Sequence, residues 1–249
     1  MTDRAKINVS PETMYLDPAN TNRLLELTGN LSESESYTIA AKDLSWFAIV
    51  DFNDMGYVKD DEKIDPDALL KSLRENQEAA NSQRIEQKLS PLLIRGWSVV
   101  PHYDRASHNL EFGTVLSSDG SENVNYTVRM LGRRGVMNAT LVTSPETLQH
   151  DLGAFRVAMA GFAFKPDESY AAYTDGDKVA EYGLAALVTG GAAAAVVKAG
   201  AAKGIFAVLA AFWKVIAVGA IAAFAAFRGF LARLFGRGKD LGPPPGDIT

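Results

Sequence analysis

A chain of 249 residues without cysteine excludes a disulfide framework and thiolate chemistry. Its averages, 47% hydrophobic with a mean hydropathy of −0.04, resemble those of an ordinary globular protein. The charge is unevenly spread: residues 1–181 carry 18 basic and 28 acidic side chains, a net of −10, whereas 182–249 carry seven basic ones against Asp240 and Asp247, a net of +5. The acidic part argues against a nucleic-acid partner, whose phosphates need a basic face, and the basic apolar remainder points to a lipid bilayer.

In chain order, Thr13–Asp17 reads as a short strand. Asp17-Pro18 then caps a helix running to Leu27, with proline at the first helical position and Gly29 as its stop. Tyr37–Ala41 and Trp46–Asp54 alternate or run apolar, as strands do. Asp65-Pro66-Asp67 opens a long helix to about Leu89, with Leu69, Leu70, Leu73 and Ile85 turned inward and Pro91 ending it. Four strands follow: Leu93–Val100, Leu110–Leu116, Asn123–Leu131 and Gly135–Val142. Asp119-Gly120 and Gly132-Arg133-Arg134-Gly135 mark hairpin turns between them. Ser144 caps a helix over Pro145–Phe162, and Asp175–Tyr182 begins a helix leading toward the membrane. The pattern predicts an α+β domain over 1–174, an antiparallel sheet with helices packed on one face. A helical lead-in over 175–204, a transmembrane helix with its basic flank over 205–235 and a Pro/Gly-rich disordered tail over 236–249 complete the chain.

Ile205 to Phe227 contains one charge, Lys214, and spans about 34 Å as a helix, enough for a hydrocarbon core of about 30 Å; the alternatives to this single span are a hairpin with the apolar Gly183–Val197 and a helix lying in the plane of the interface. At 100° per residue, Lys203, Lys214 and Arg228 fall within about 40° of one another on a face of small residues. Such a face suits packing against a helix of a protein partner or of a second copy, or contact with anionic head groups, or else Lys214 simply snorkels from a monomeric anchor. The cluster Arg228, Arg233, Arg237 and Lys239 places the C-terminus in the cytoplasm and the acidic domain outside. That single-pass topology in a bacterial cell membrane needs a leader ahead of Met1–Lys6, which holds no apolar run.

Candidate chemistry is sparse. His102, Tyr103 and Asp104, with His108, form the densest polar cluster; they could make an acid/base pair or a metal site, or simply brace a loop backbone. Arg133 and Arg134 between glycines could hold an anion on exposed backbone N–H groups, or form a solvated hairpin tip. Asp60, Asp61 and Glu62 read as a solvated face, because the alternating ligands of a calcium loop are missing. There is no phosphate loop, no G-x-S-x-G elbow and no H-E-x-x-H, so neither a cofactor nor a catalytic set is expected.

Several short motifs occur together: Gly56-Tyr57-Val58-Lys59-Asp60-Asp61, Gly96-Trp97, Pro101-His102-Tyr103-Asp104, Asn125-Tyr126, Arg129, Leu131-Gly132-Arg133-Arg134-Gly135 and Asp177-Lys178-Val179-Ala180-Glu181-Tyr182-Gly183. In this order, over roughly residues 10–235, the chain resembles the bacterial domain-of-unknown-function family 2167 of predicted membrane-anchored proteins. The resemblance implies a leader, an extracytoplasmic domain and a C-terminal anchor, and brings no catalytic residues. The expected role is a non-enzymatic binding or scaffolding domain held at the membrane. The alternatives are a hydrolase or metal-dependent enzyme built on His102, Asp104 and His108, and a lipid-binding sensor using Lys203, Lys214 and Arg228.

Overall fold

A computed structural model describes residues 3–8, 11–28 and 35–190. The expected span, its basic flank and tail, and Lys203, Lys214 and Arg228 lie outside the described residues. Among the described residues no helix is long and apolar enough to cross a membrane.

The centre is a seven-stranded antiparallel sheet of order β2-β3-β4-β8-β7-β6-β5. Its strands are β2 (Thr13–Leu16), β3 (Tyr37–Ala41), β4 (Phe47–Asn53), β5 (Leu93–Asp104), β6 (Asn109–Ser118), β7 (Ser121–Leu131) and β8 (Val136–Thr143). Two three-residue strands missed by periodicity, β1 (Ala5–Ile7) and β9 (Phe162–Phe164), pair separately. The helices are α1 (Pro18–Leu27), α2 (Pro66–Glu86), α3 (Leu148–Met159) and α4 (Leu184–Thr189).

Local chemistry sets most boundaries. The Asp17 carboxylate accepts from the Asn20 N–H at 2.9 Å, and Asp65 accepts from those of Asp67 and Ala68 at 3.2 Å, so both expected caps form. Asp119 and Gly120 take φ of 50° and 81°, the left-handed pair that a two-residue hairpin needs. β5 continues through Pro101 to Asp104 because it is an edge strand, where a missing N–H is tolerated, and its pairing slips between Val99 and His102.

The sheet is covered on both faces, not on one as the pattern suggested. Ile39, Ala48, Leu141 and Tyr126 form one cross-strand row. They share a core with Leu148, Leu152, Phe155 and Ala158, the apolar stripe of α3. The next row, Thr38, Ile49, Thr140, Thr127 and Phe112, faces the other way. There the Thr38 hydroxyl donates to that of Thr21 in α1 at 2.9 Å. Leu69 of α2 and Leu184, Leu187 and Val188 of α4 join Leu110 and Phe112 in a second core. Helical periodicity reveals a stripe but not which sheet face receives it.

Three further expectations shift. Ile85 points outward at 61% exposure, while its neighbour Arg84 takes the inward position and donates to the Ser90 carbonyl at 2.8 Å. Ser144 bonds the Thr147 N–H, but α3 starts only at Leu148. Asp175–Tyr182 is not helical: Gly176 has a φ of 100°, and Val179 forms a parallel bridge to Tyr57.

Candidate functional site

The polar cluster at the β5–β6 turn disperses. Asp104 accepts from the Ala106 N–H at 2.9 Å and the Ser107 hydroxyl at 2.7 Å, contacts that hold its carboxyl below the usual aspartate range and shape the turn. His102 lies on the α3 side of the strand, its Nε2 3.7 Å from Glu111. Tyr103 projects oppositely and donates to Asp60 at 3.1 Å, with His108 Nδ1 also 3.1 Å from its hydroxyl. Burial, reinforced by the Asp60 charge, pushes the Tyr103 phenol well up. The His108 ring lies 4.2 Å from that of Tyr170. His102, Asp104 and His108 therefore serve three different neighbourhoods, which removes the geometric basis for a hydrolase or metal centre built on them. Among the described residues no group of three His, Asp or Glu could hold a metal ion.

The Gly132–Gly135 loop is a clasp. Arg133 grips Asp177 with two hydrogen bonds of 2.7 and 2.8 Å and donates to Thr174 at 2.8 Å. The guanidinium, with the Thr174 N–H, holds the Asp177 carboxyl far below its usual value. Arg134 pairs with Glu168, a buried carboxylate that also takes Arg4 at 3.4 Å, so both loop arginines are occupied by carboxylates. The glycines are there for closeness. A Cβ on Gly135 would stand 2.1 Å from the Asn53 carbonyl, and one on Gly132 would meet the Phe164 ring and the Glu168 carbonyl.

The neighbouring motif closes the same junction. Tyr57 exchanges backbone hydrogen bonds with Lys178 and Ala180, each 2.8 Å, and its ring lies between those of Tyr170 and Tyr173 at 4.5 and 4.2 Å. Gly56, at φ 100°, leaves no room for a side chain against Lys178. Glu62 accepts from the Ala185 N–H at 3.0 Å, at the start of α4. The carboxylates expected to be solvated thus include one partner for Tyr103 and one helix cap.

The concave, apolar site lies elsewhere. A cavity of about 550 Å³ opens between the sheet, α3 and β9. Val128, Met130, Phe155, Met159, Phe162 and Phe164 supply its apolar walls. At one end stand Glu111, Tyr126 and Arg156. Tyr126, 1% exposed, donates its hydroxyl to Glu111 Oε2, and Arg156 Nη2 lies 3.9 Å from that oxygen. Burial, then the hydrogen bond to Glu111, pushes the Tyr126 phenol up to about 12. Tyr126 therefore stays a neutral donor at physiological pH and fixes the carboxylate. The opposite sheet face carries a broader groove of about 830 Å³ between α1 and α2. It contains Asp51, whose pKa is raised by burial against the pull of Asn138 and Arg129.

Sequence reading missed Glu111 and Arg156. A charge within the apolar-alternating run Leu110–Leu116 was the available signal, but only the register, Glu111 opposite Val128, shows that it faces α3. Arg156 follows the core residue Phe155 and looks like any helix-surface cation.

A family model described as a protein of unknown function (DUF2167) matches residues 1–225. No curated protein matches the chain. Solved structures similar to it include the cyanobacterial PsbP protein (CyanoP) from Synechocystis, at 6% identity and a TM-score of 0.37 over 66% of this chain and 95% of that one. Another is LpqN of Mycobacterium tuberculosis, described as involved in cell envelope biogenesis, at 11% identity and a TM-score of 0.28 over 65% of this chain and 83% of that one.

Proposed function

The chain belongs to the DUF2167 family, and on that premise we propose a binding domain held at a bacterial envelope membrane by its C-terminal apolar segment. The observation that carries binding is the cavity beneath α3: apolar walls with a few fixed polar groups at one end are what a small-ligand site requires. Membrane attachment is supported by the sequence, since 205–227 is long and apolar enough to span and is followed by four basic residues. The expected orientation puts the acidic domain outside the cytoplasm, and the Lys203, Lys214 and Arg228 face fits a partner helix or a second copy.

Two measurements test this reading. The full chain should sediment with membranes and remain there through alkaline carbonate, and release would overturn the attachment. In amphipol, the full chain should bind one apolar fluorescent probe. Ala160→Trp places a large ring on a cavity-lining, exposed position at the end of α3, one turn from Arg156, and it should abolish that binding without lowering Tm. Unchanged probe binding in this variant would remove the cavity as the site.

A further inference from the structure

We propose that the cavity takes a single-chain zwitterionic amphiphile, an ethanolamine phospholipid with one acyl chain, its ammonium on Glu111 and its phosphate on Arg156. This rests on the reading of the cavity as the ligand site of a membrane-held domain. The commitment comes from charge complementarity. Glu111 and Arg156 present opposite charges side by side, 3.9 Å apart, next to apolar walls, and apart from them the lining holds only uncharged polar groups such as Asn109 and Ser169 and the ring of His108. An anionic head alone would meet the Glu111 carboxylate, and a cationic head alone would meet the Arg156 guanidinium. Only a head carrying both charges close together satisfies the pair without leaving one member repelled.

The pair is loose and accessible: Tyr126, His102 and Arg156 all address Glu111 Oε2 and leave Oε1 to a ligand. The Glu111 side chain is 22% exposed and that of Arg156 64%. The Tyr126 hydroxyl uses one acceptor position of the carboxylate, which has several. The apolar side of the wall comes from three elements: Val128 and Met130 from β7, Phe155 and Met159 from α3, Phe162 and Phe164 from β9. That surface is larger than one amino-acid side chain can cover, which favours an acyl chain over a free apolar amino acid of the same head chemistry. Met130 and Met159 can adapt their rotamers to a flexible chain.

The test is titration calorimetry on the full chain in amphipol, below the micellar concentration of each probe. The probes are a lysophosphatidylethanolamine, a fatty acid and an alkylamine of matched chain length, and free leucine. The phospholipid should bind one to one, at least about tenfold tighter than either singly charged chain, the worth of one charge-assisted contact. Glu111→Gln, which keeps an acceptor for Tyr126, should erase the advantage over the fatty acid. Arg156→Gln should erase the advantage over the alkylamine, both variants keeping the wild-type Tm. Equal binding of the singly charged chains, or tighter binding of leucine, would overturn this ligand class while leaving the cavity as a binding site. Absence of binding by every probe would overturn both readings.

Discussion

The junction around Gly132–Gly135 and the cavity beneath α3 use charge in opposite ways. At the junction Arg133 and Arg134 are held by Asp177 and Glu168, and backbone approaches so closely that Gly56, Gly132 and Gly135 have no space for a Cβ. In the cavity Glu111 and Arg156 remain accessible beside apolar walls. Three of the seven motifs that stand out in the sequence meet at the junction; the cavity holds Tyr126 of another, but Glu111 and Arg156 belong to none of them. Conspicuous sequence here marks the fastening of the segment that leads to α4, while the charged pair of the ligand-sized space is inconspicuous.

The largest effect should come from closing the tightest approach. Gly135→Ala sets a methyl against the Asn53 carbonyl and the Phe52 ring, with no flexible atom to yield to the backbone. It should cost more than about 4 kcal/mol, within the range reserved for backbone and packing conflicts, read by denaturant unfolding. Wild-type stability in this variant would mean that the loop is not a clasp.

Glu168→Gln should cost about 1.5–3 kcal/mol, because it removes the charge that holds Arg134 and Arg4. A change under about 0.5 kcal/mol would place the junction among ordinary surface contacts.

Acid should loosen the junction late. The Asp177 pKa is lower folded than unfolded, so its contribution is complete above the unfolded value of about 4 and is lost as pH falls from there toward the folded value. The Tm gap between wild type and Asp177→Asn should be constant from neutral pH to about 5 and shrink below about 4. A gap already closing above about pH 6 would contradict the pairing.

The smallest stability effect belongs to the cavity. Arg156→Gln, at an exposed helix position, should change stability by no more than about 0.5 kcal/mol. A large loss would make Arg156 part of the fold and erase the contrast.

Much of the fold could be read from sequence where one local device decides the outcome. Asp17-Pro18 and Asp65-Pro66 supply caps, Asp119-Gly120 supplies a left-handed turn, and alternation marks the long strands. What stayed hidden depends on register or distant partners. The stripe Leu148, Leu152, Phe155 and Ala158 predicts a helix, but only the cross-strand rows assign it a face. Gly132 and Gly135 look like turn glycines, yet their reason is the nearness of Phe164 and Asn53. Asp177 looks like a helix-starting residue until Arg133, 44 positions earlier, claims it. Glu111 and Arg156 meet only once β6 and α3 are packed.

The central claim, that one region binds and the other fastens, is tested most directly by calorimetric titration of a single-chain ethanolamine phospholipid into two full-length variants, each below its melting temperature. Arg156→Gln should lose binding by about tenfold or more, whereas Glu168→Gln should bind like wild type despite its lower stability. Wild-type affinity in Arg156→Gln together with lost binding in Glu168→Gln would contradict the account.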